Sequence, residues 1–419
     1  MHGHQETHTL KKKIFFLLHS MNVGGVEKAM LGLLSVLPLN QYEVHLGLLH
    51  KKGGFLNDIP TQVSVHEIPC YDKYWELIND PPLQNIKKMV SQGHFLDALI
   101  HFFLYVHFKL TSNRYWFYRY IMKSEPKFPM AFDLAVSFAG PSQMMDYYIC
   151  QQVDAKIKCG WIHFDVSKFG IDEGMTRQLY KQYKRIFIVS ETAKNIFDSI
   201  FPEFQENTVV FHNVVSPSQI VTLARDGSTF DDGFTGKRIL TVGRIAQEKG
   251  QRTAIQALKL LSGKYPHLRW YFIGEGSDMV NCQNEAKELG VADQVVFLGT
   301  KTNPYGYMRD CDVYVQPSRH EGFCITLAEA LCFANPIVAT DFTGAQEQLK
   351  ERENGFVVGM GAEAIASGIE KALTAPKTEK VREKENSDVE KLLSLLIECC
   401  PIDEKKYIIP YRIPVRRWG

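Results

Sequence analysis

The chain has 419 residues, 45% of them hydrophobic and 23% charged, a globular composition that excludes disordered, collagen-like and membrane-spanning classes. Its 48 lysines and arginines face 47 aspartates and glutamates, so no global field exists to hold nucleic acid or an anionic bilayer, and any basic site must be local. That length suits two α/β domains of about 150 to 220 residues each, with a cleft between them.

The run KKKIFFLLHS reads as a buried parallel strand, and MNVGGVEKAMLGLLSVL after it as a glycine turn and a helix. No apolar stretch of signal-peptide length follows the lysines, so a cytoplasmic protein is expected, acting if need be at the inner face of the membrane. The nine cysteines lack paired spacing, and the adjacent Cys399 and Cys400 form no CxxC element, which fits reduced cytosolic thiols. His2, His4 and His8 are assigned no role.

YEVHLGLLH and VSVHEIP continue the βα rhythm of a doubly wound sheet. Residues 74 to 130 interrupt it with a helical, aromatic and basic insertion. Its apolar run of about 15 residues carries His101, His107 and Lys109 and is too short for a bilayer span of about 20. Tyr115, Trp116, Tyr118 and Tyr120 alternate with Arg114, Arg119 and Lys123, which suits either a membrane interface or an insertion packed on the first domain.

Strand character resumes at FDLAVSFAG, CGWIHFD, RIFIVS and TVVFHNVV, giving an N-terminal domain over residues 1–225. ARDGSTFDDGFTGK reads as a linker. KRILTVGR, LRWYFIGEG, QVVFLGT, CDVYVQPS and PIVATD then give the strands of a second Rossmann-like domain over 236–375. The charged residues 376–419 read as a solvated or domain-bridging tail.

Ligands of doubly wound sheets bind beyond the carboxyl ends of the strands. There, Gly243, Arg244 and Lys249 follow the second domain's first strand, and two fixed cations suit a departing diphosphate, although such a pair is also common on surfaces. In SRHEGFCITLAEAL a loop with Glu321, Gly322 and Phe323 precedes a helix starting near Ile325 or Thr326. The amides of Thr326 and Leu327 suit a pyrophosphate, and Gly322 suits close ligand approach. Glu329 suits the paired hydroxyls of a ribose, with Glu321 nearer the sugar. The plainer alternative makes Glu329 a solvated helix residue and Glu321 a partner of the helix dipole.

VGRIAQEKG, FIGEGSDMV, SRHEGFCITLAEAL and VATDFTGAQEQLKERENGFVV, in this order, resemble glycosyltransferase family 4 over roughly residues 236 to 360. The resemblance implies a GT-B fold of two facing Rossmann-like domains. It also implies that Arg244 and Lys249 clamp the donor diphosphate and that Glu321 and Glu329 form the family's E-x7-E pair. More weakly, GGVE resembles the glycine-rich loop that puts Gly24 and Gly25 beside donor phosphates or acceptor. WIHFD resembles the motif whose histidine, here His163, touches the donor sugar. Gly274 and Gly276 imitate a dinucleotide-binding turn, but the third glycine is missing and no acidic residue follows at the usual distance; the family has a similar turn beside its nucleoside pocket.

The resemblance further implies a retaining hexosyltransferase that needs neither metal nor cofactor. It would use a nucleoside diphosphate sugar, UDP foremost, and a glycan or lipid-linked acceptor of surface polysaccharide synthesis, with no nucleic-acid partner; a peripheral membrane contact is one reading of the 74–130 insertion, which departs from the family pattern. Two other readings are an epimerase or hydrolase of the same architecture and a non-catalytic sugar-nucleotide-binding subunit.

Overall fold

A computed structural model of the protein describes residues 11–378, 381 and 388–398. The apolar runs become two sheets in which every pairing is parallel. The first holds β1 (Lys12–Leu18), β2 (Tyr42–Leu48), β3 (Ser64–Glu67), β4 (Ala131–Gly140), β5 (Asp154–Ile162), β6 (Arg185–Ile188) and β7 (Thr208–Val210), ordered β3-β2-β1-β4-β5-β6-β7. The second holds β8 (Lys237–Val242), β9 (Leu268–Ile273), β10 (Val295–Phe297), β11 (Val313–Gln316), β12 (Ile337–Thr340) and β13 (Gly355–Val358), ordered β10-β9-β8-β11-β12-β13. Strand order reverses between β1 and β4 and again between β8 and β11, and such switch points open a crevice beyond the strand ends.

Burial on both faces explains why the strands read as unbroken apolar runs: Ile14 to Leu18 of β1 and Ile239 and Leu240 of β8 are fully buried. The helix Gly25–Val36 packs its stripe of Ala29, Met30, Leu33 and Leu34 on the first sheet. β5 begins at Asp154, ahead of the apolar run expected from Cys159, because its lysines find partners off the core. Lys156 Nζ lies 2.7 Å from Asp133 Oδ1, and Lys158 Nζ donates to the Cys150 carbonyl at 2.7 Å. The half-buried β13 was not expected from the sequence; four residues are too few to show a pattern. The seven cysteines among the described residues are buried.

The insertion forms the helices Trp75–Asn79, Pro82–Ser91, Phe95–Thr111 and Tyr115–Ile121. Tyr115, Tyr118 and Ile121 are buried against the first domain, with Tyr118 and Tyr147 ring centroids 5.8 Å apart. Arg114 sits over the Phe117 ring at 4.8 Å. Tyr115 and Tyr118 therefore pack inward as an insertion on the first domain would, whereas Trp116, Arg119 and Lys123 stay exposed.

The chain then returns to the first domain. The helix Val389–Glu398 buries Leu392, Leu395 and Leu396 in the first domain's core, and Lys391 Nζ donates to the Val210 carbonyl at 2.8 Å. His212 joins three segments: its Nδ1 lies 3.2 Å from Asp388 Oδ2 and its Nε2 2.8 Å from Glu347 Oε1. The tail is thus domain-bridging at this helix. His2, His4, His8, Cys399, Cys400 and the basic C-terminal end lie outside the described residues.

Hydrogen bonds to the carboxylates of Asp388 and then Glu347 raise the His212 pKa to about 9, with burial opposing them. A folded pKa above the ordinary 6.5 favours the charged folded form. The His212 contribution to stability is therefore complete below about pH 6.5 and is lost as pH rises through about 9. Urea unfolding of wild type and His212→Ala is expected to show the largest difference near pH 6, shrinking steadily toward pH 9.5.

Candidate functional site

The loops after β1, β8 and β11 meet where the two switch points face each other. At the start of the second sheet, Gly250 adopts a left-handed φ of 73°, and a Cβ there would lie 1.9 Å from the Pro317 carbonyl oxygen. Only glycine lets the loop after β8 lie flat on the loop after β11. That contact brings Lys249 to Glu321, with Nζ 2.7 Å from Oε1. Burial works against the Lys249 charge, but the Glu321 carboxylate outweighs it and the pKa lies above the ordinary lysine value. Ser318 Oγ donates to the same Glu321 oxygen at 2.7 Å. Glu321 is thus ion-paired and hydrogen-bonded, which sets aside its alternative role as a simple dipole partner.

Arg244 lies beside this pair but turns outward. Its side chain is 66% exposed and its Nη2 is 2.6 Å from Glu248 Oε1. A long, exposed guanidinium held by one i,i+4 partner is free to re-aim at a bound anion at small cost.

The helix Ile325–Ala330 starts where expected. Its N-cap, Cys324, has a φ of 58°, an uncommon conformation for a residue with a Cβ and the kind of local strain that gathers at functional loops. The Leu327 amide already donates to the Cys324 carbonyl at 3.1 Å, which corrects its expected role toward pyrophosphate. Thr326 stands in the first helical turn, where amides lack an intrahelical acceptor; its hydroxyl donates to Gln316 Oε1 at 3.2 Å.

Glu329 is 2% exposed, not a solvated helix residue. Its Oε1 accepts from the Tyr305 hydroxyl at 2.8 Å and lies 2.7 Å from Lys28 Nζ. The Lys28 ammonium also sits 4.9 Å above the Tyr305 ring. Glu329 Oε2, equally buried, has no hydrogen-bond partner among the described residues. A buried carboxylate oxygen left unmatched costs free energy unless a donor reaches it, so this atom marks a place for a ligand hydroxyl.

From the first domain, Gly24 and Gly25 open the helix that carries Lys28. A Cβ on Gly24 would lie 2.5 Å from Glu27 Oε2, so Gly24 makes room for the Glu27 carboxylate. Burial raises the Glu27 pKa, opposed by the Arg244 charge across the cleft. No atom lies within 4 Å of a Cβ built on Gly25 or Gly243, which leaves open space at both turns. His163, beyond β5, is buried against Phe138 with ring centroids 4.6 Å apart, and its Nε2 has no partner among the described residues. Burial pushes its pKa down to about 3, against a backbone hydrogen bond to Phe138, so it is neutral at ordinary pH.

Three of the expected glycines serve backbone packing. Cβ atoms on Gly274 and Gly276 would lie 2.0 and 2.1 Å from the carbonyl oxygens of Gly243 and Ile245, and one on Gly322 would lie 2.0 Å from the His163 carbonyl oxygen. The close approach at Gly322 is therefore between domains, which corrects the expectation that the ligand fills that space. Ser190 Oγ donates to the Gly322 carbonyl at 3.3 Å and Thr343 Oγ1 to Asp165 Oδ2 at 3.0 Å across the same seam. The Phe323 carbonyl accepts from the Gln348 amide and its ring is buried, which commits both to the protein's own packing. Lys28, Tyr305, Glu27 and Ser318 were not expected from the sequence; the GGVE turn was the only signal near two of them.

Residues 231–388 match the family model described as Glycosyl transferases group 1. The chain spans about half the length of the first curated relatives it matches, 44% and 52% of two uncharacterized glycosyltransferases from Methanocaldococcus jannaschii and Haemophilus influenzae. A putative glycosyltransferase of Bacillus subtilis, EpsD, is 34% identical over 39% of this chain and 42% of its own. The N-acetylgalactosamine-N,N'-diacetylbacillosaminyl-diphospho-undecaprenol 4-alpha-N-acetylgalactosaminyltransferase of Campylobacter jejuni aligns over 88% of this chain and 92% of its own at 24% identity. Among solved structures, HepE of Anabaena with UDP and glucose superposes with a TM-score of 0.61 at 18% identity, covering 93% of this chain and 97% of its own. TarM of Staphylococcus aureus, with UDP and glycan ligands, gives 0.60 at 15%, covering 92% and 99%. At these identities the shared property is the fold, two facing parallel-sheet domains of the GT-B type.

Removing Lys28 strips the buried Glu329 carboxylate of its only cation among the described residues. Lys28→Ala is expected to destabilise the nucleotide-free protein by about 2 kcal/mol, below the range for fully buried pairs because Lys28 keeps some exposure. In a double-mutant cycle measured by urea unfolding, most of that loss should vanish when Glu329 is already Gln.

Proposed function

We propose that the protein is a glycosyltransferase that moves a hexose or N-acetylhexosamine from a nucleoside diphosphate sugar to a glycan or lipid-linked acceptor in bacterial surface polysaccharide synthesis. The observation that carries the reading is Glu329: a buried carboxylate with one oxygen bound to Tyr305 and Lys28 and the other unpartnered, one turn into the helix behind the Lys249–Glu321 pair. A ribose supplies the missing donor, and the diphosphate next to it meets Lys249, the Thr326 amide and a re-aimed Arg244. UDP is the favoured nucleotide because the structural neighbours HepE and TarM were solved with it.

Chemically, the bond from the anomeric carbon to the diphosphate oxygen breaks as negative charge grows on the leaving group. Fixed cations stabilise that charge more in the transition state than in the ground state, which is what accelerates the step. Arg244 and Lys249 make this possible without a metal ion. Glu321 lies on the sugar side of Lys249, suited to sugar hydroxyls and to developing positive charge on the ring. His163, held neutral by burial, acts as a hydrogen-bond partner to the sugar and not as an acid or base. The likeness to family 4 adds a retaining outcome: the acceptor oxygen bonds to the anomeric carbon on the face the diphosphate leaves, and the acceptor proton passes to the departing phosphate. Glycan and lipid-linked acceptors are favoured by the relatives' descriptions, the undecaprenol-linked substrate of the Campylobacter enzyme among them.

Lys249→Ala and Arg244→Ala should each lower turnover by about a hundredfold or more, the usual cost of losing a charge-stabilising group, while donor affinity falls much less. Single-turnover rates with a radiolabelled donor sugar check this; near-wild-type rates in both variants would remove the proposed diphosphate clamp.

A further inference from the structure

The helix Phe95–Thr111 turns a wholly apolar face outward. Leu96, Leu99, Phe103 and Leu110 are 71, 52, 62 and 81% exposed, and with Val106 they recur at three- and four-residue steps along one side. Phe95 and Phe102 flank them at 67 and 45% exposure. The opposite side, with Ala98 and His101 buried, packs inward, and the His101 ring meets those of Phe117 and Tyr120 at 5.7 and 5.5 Å. On the neighbouring helix Pro82–Ser91, Leu83 and Val90 are 50 and 45% exposed on one face, with Lys87 between them. Scattered exposed leucines are ordinary, but large apolar residues repeating along one face of a helix need a cover.

The charges around it identify the cover. Between residues 81 and 124 the chain carries six lysines and arginines and a single acidic residue, Asp97, in a protein whose 48 basic and 47 acidic side chains balance overall. Asp97 is held by the Tyr120 hydroxyl at 2.8 Å. Lys87, Lys109, Arg119 and Lys123 are exposed. Trp116 stands 47% exposed beneath Arg119, whose guanidinium lies 5.3 Å from its ring, and Lys123 sits 4.2 Å over Tyr120. Phenylalanine and leucine on one face with tryptophan and cations at the rim is the pattern of a helix lying in a bilayer interface. At 17 residues the helix is too short to cross a membrane, and no described helix is long and apolar enough to do so.

We propose that the outer face of Phe95–Thr111, extended by Leu83 and Val90, seats the first domain on an anionic lipid bilayer, with Lys87, Lys109, Arg119 and Lys123 against the headgroups. This surface lies on the insertion and not on the residues of the proposed donor site, and its test uses neither donor nor acceptor, so it stands or falls separately from the transferase reading.

The full chain is sedimented with vesicles of phosphatidylglycerol and phosphatidylethanolamine in equal parts, and with phosphatidylcholine vesicles. Wild type should pellet with the anionic vesicles. Leu96→Gln/Leu99→Gln/Phe103→Gln, whose exposed positions leave the melting midpoint unchanged, should lose about tenfold or more of that partitioning. Lys109→Glu/Lys123→Glu should weaken binding to the anionic vesicles selectively. Wild type remaining in the supernatant with both vesicle types, or equal pelleting of the triple variant, would overturn the proposal. So would a lipid-free wild-type dimer, seen by sedimentation velocity, that the triple variant dissociates, since the face would then be an interface between copies of the chain.

Discussion

A carboxylate removed almost wholly from water must find compensation, and at Glu329 it comes from both halves of the molecule. Tyr305 of the second domain gives one hydrogen bond and Lys28 of the first gives a charge, both to the same oxygen. Burying an ion costs several kcal/mol even after relaxation, so this arrangement ties the energetics of the donor pocket to the position of the first domain. The other oxygen has no hydrogen-bond partner among the described residues, and in the proposed reading a nucleotide that reaches it does so in a cleft whose halves already touch.

The same logic runs along the rest of the seam. Gly322 packs on the His163 carbonyl, Ser190 reaches the Gly322 carbonyl, and Thr343 reaches Asp165. Farther back, His212 is hydrogen-bonded to Asp388 and Glu347, and the helix Val389–Glu398 buries its leucines in the first domain after the chain has completed the second. Two-domain enzymes that close over reactive sugars gain by excluding water, which otherwise competes as acceptor. These polar contacts and the glycine packing lie beside a hydrophobic cluster that holds residues of both domains, Trp161 and Val214 with Phe323 and Leu327 among them.

Much of this was legible in the sequence because parallel strands buried on both faces cannot help being apolar runs, and β1, β8 and β11 announced themselves that way. The loops after them carried Lys249, Glu321 and Glu329 at readable spacing. What stayed hidden depended on tertiary placement. Lys28 looks like any surface lysine on an amphipathic helix, and nothing local says that it faces Glu329. Gly274 and Gly276 look like ligand-contact glycines, but steric closure of the loops after β8 and β9 explains them. The insertion misled for a different reason. Phe95–Thr111 is apolar on nearly every side, so its periodicity could not say which face is covered. Tyr115 and Tyr118 of the neighbouring helix, spaced to suggest an interface, turned inward.

In the proposed donor site Glu329 anchors the nucleoside of a sugar nucleotide. Thermal stabilisation of the wild-type protein and of Glu329→Ala by UDP-, GDP-, ADP- and TDP-sugars tests this anchoring. One nucleotide class, UDP first, is expected to raise the wild-type melting temperature, and Glu329→Ala to lose most of that shift. Equal stabilisation of both proteins, or none of the wild type by any of the four, would contradict it.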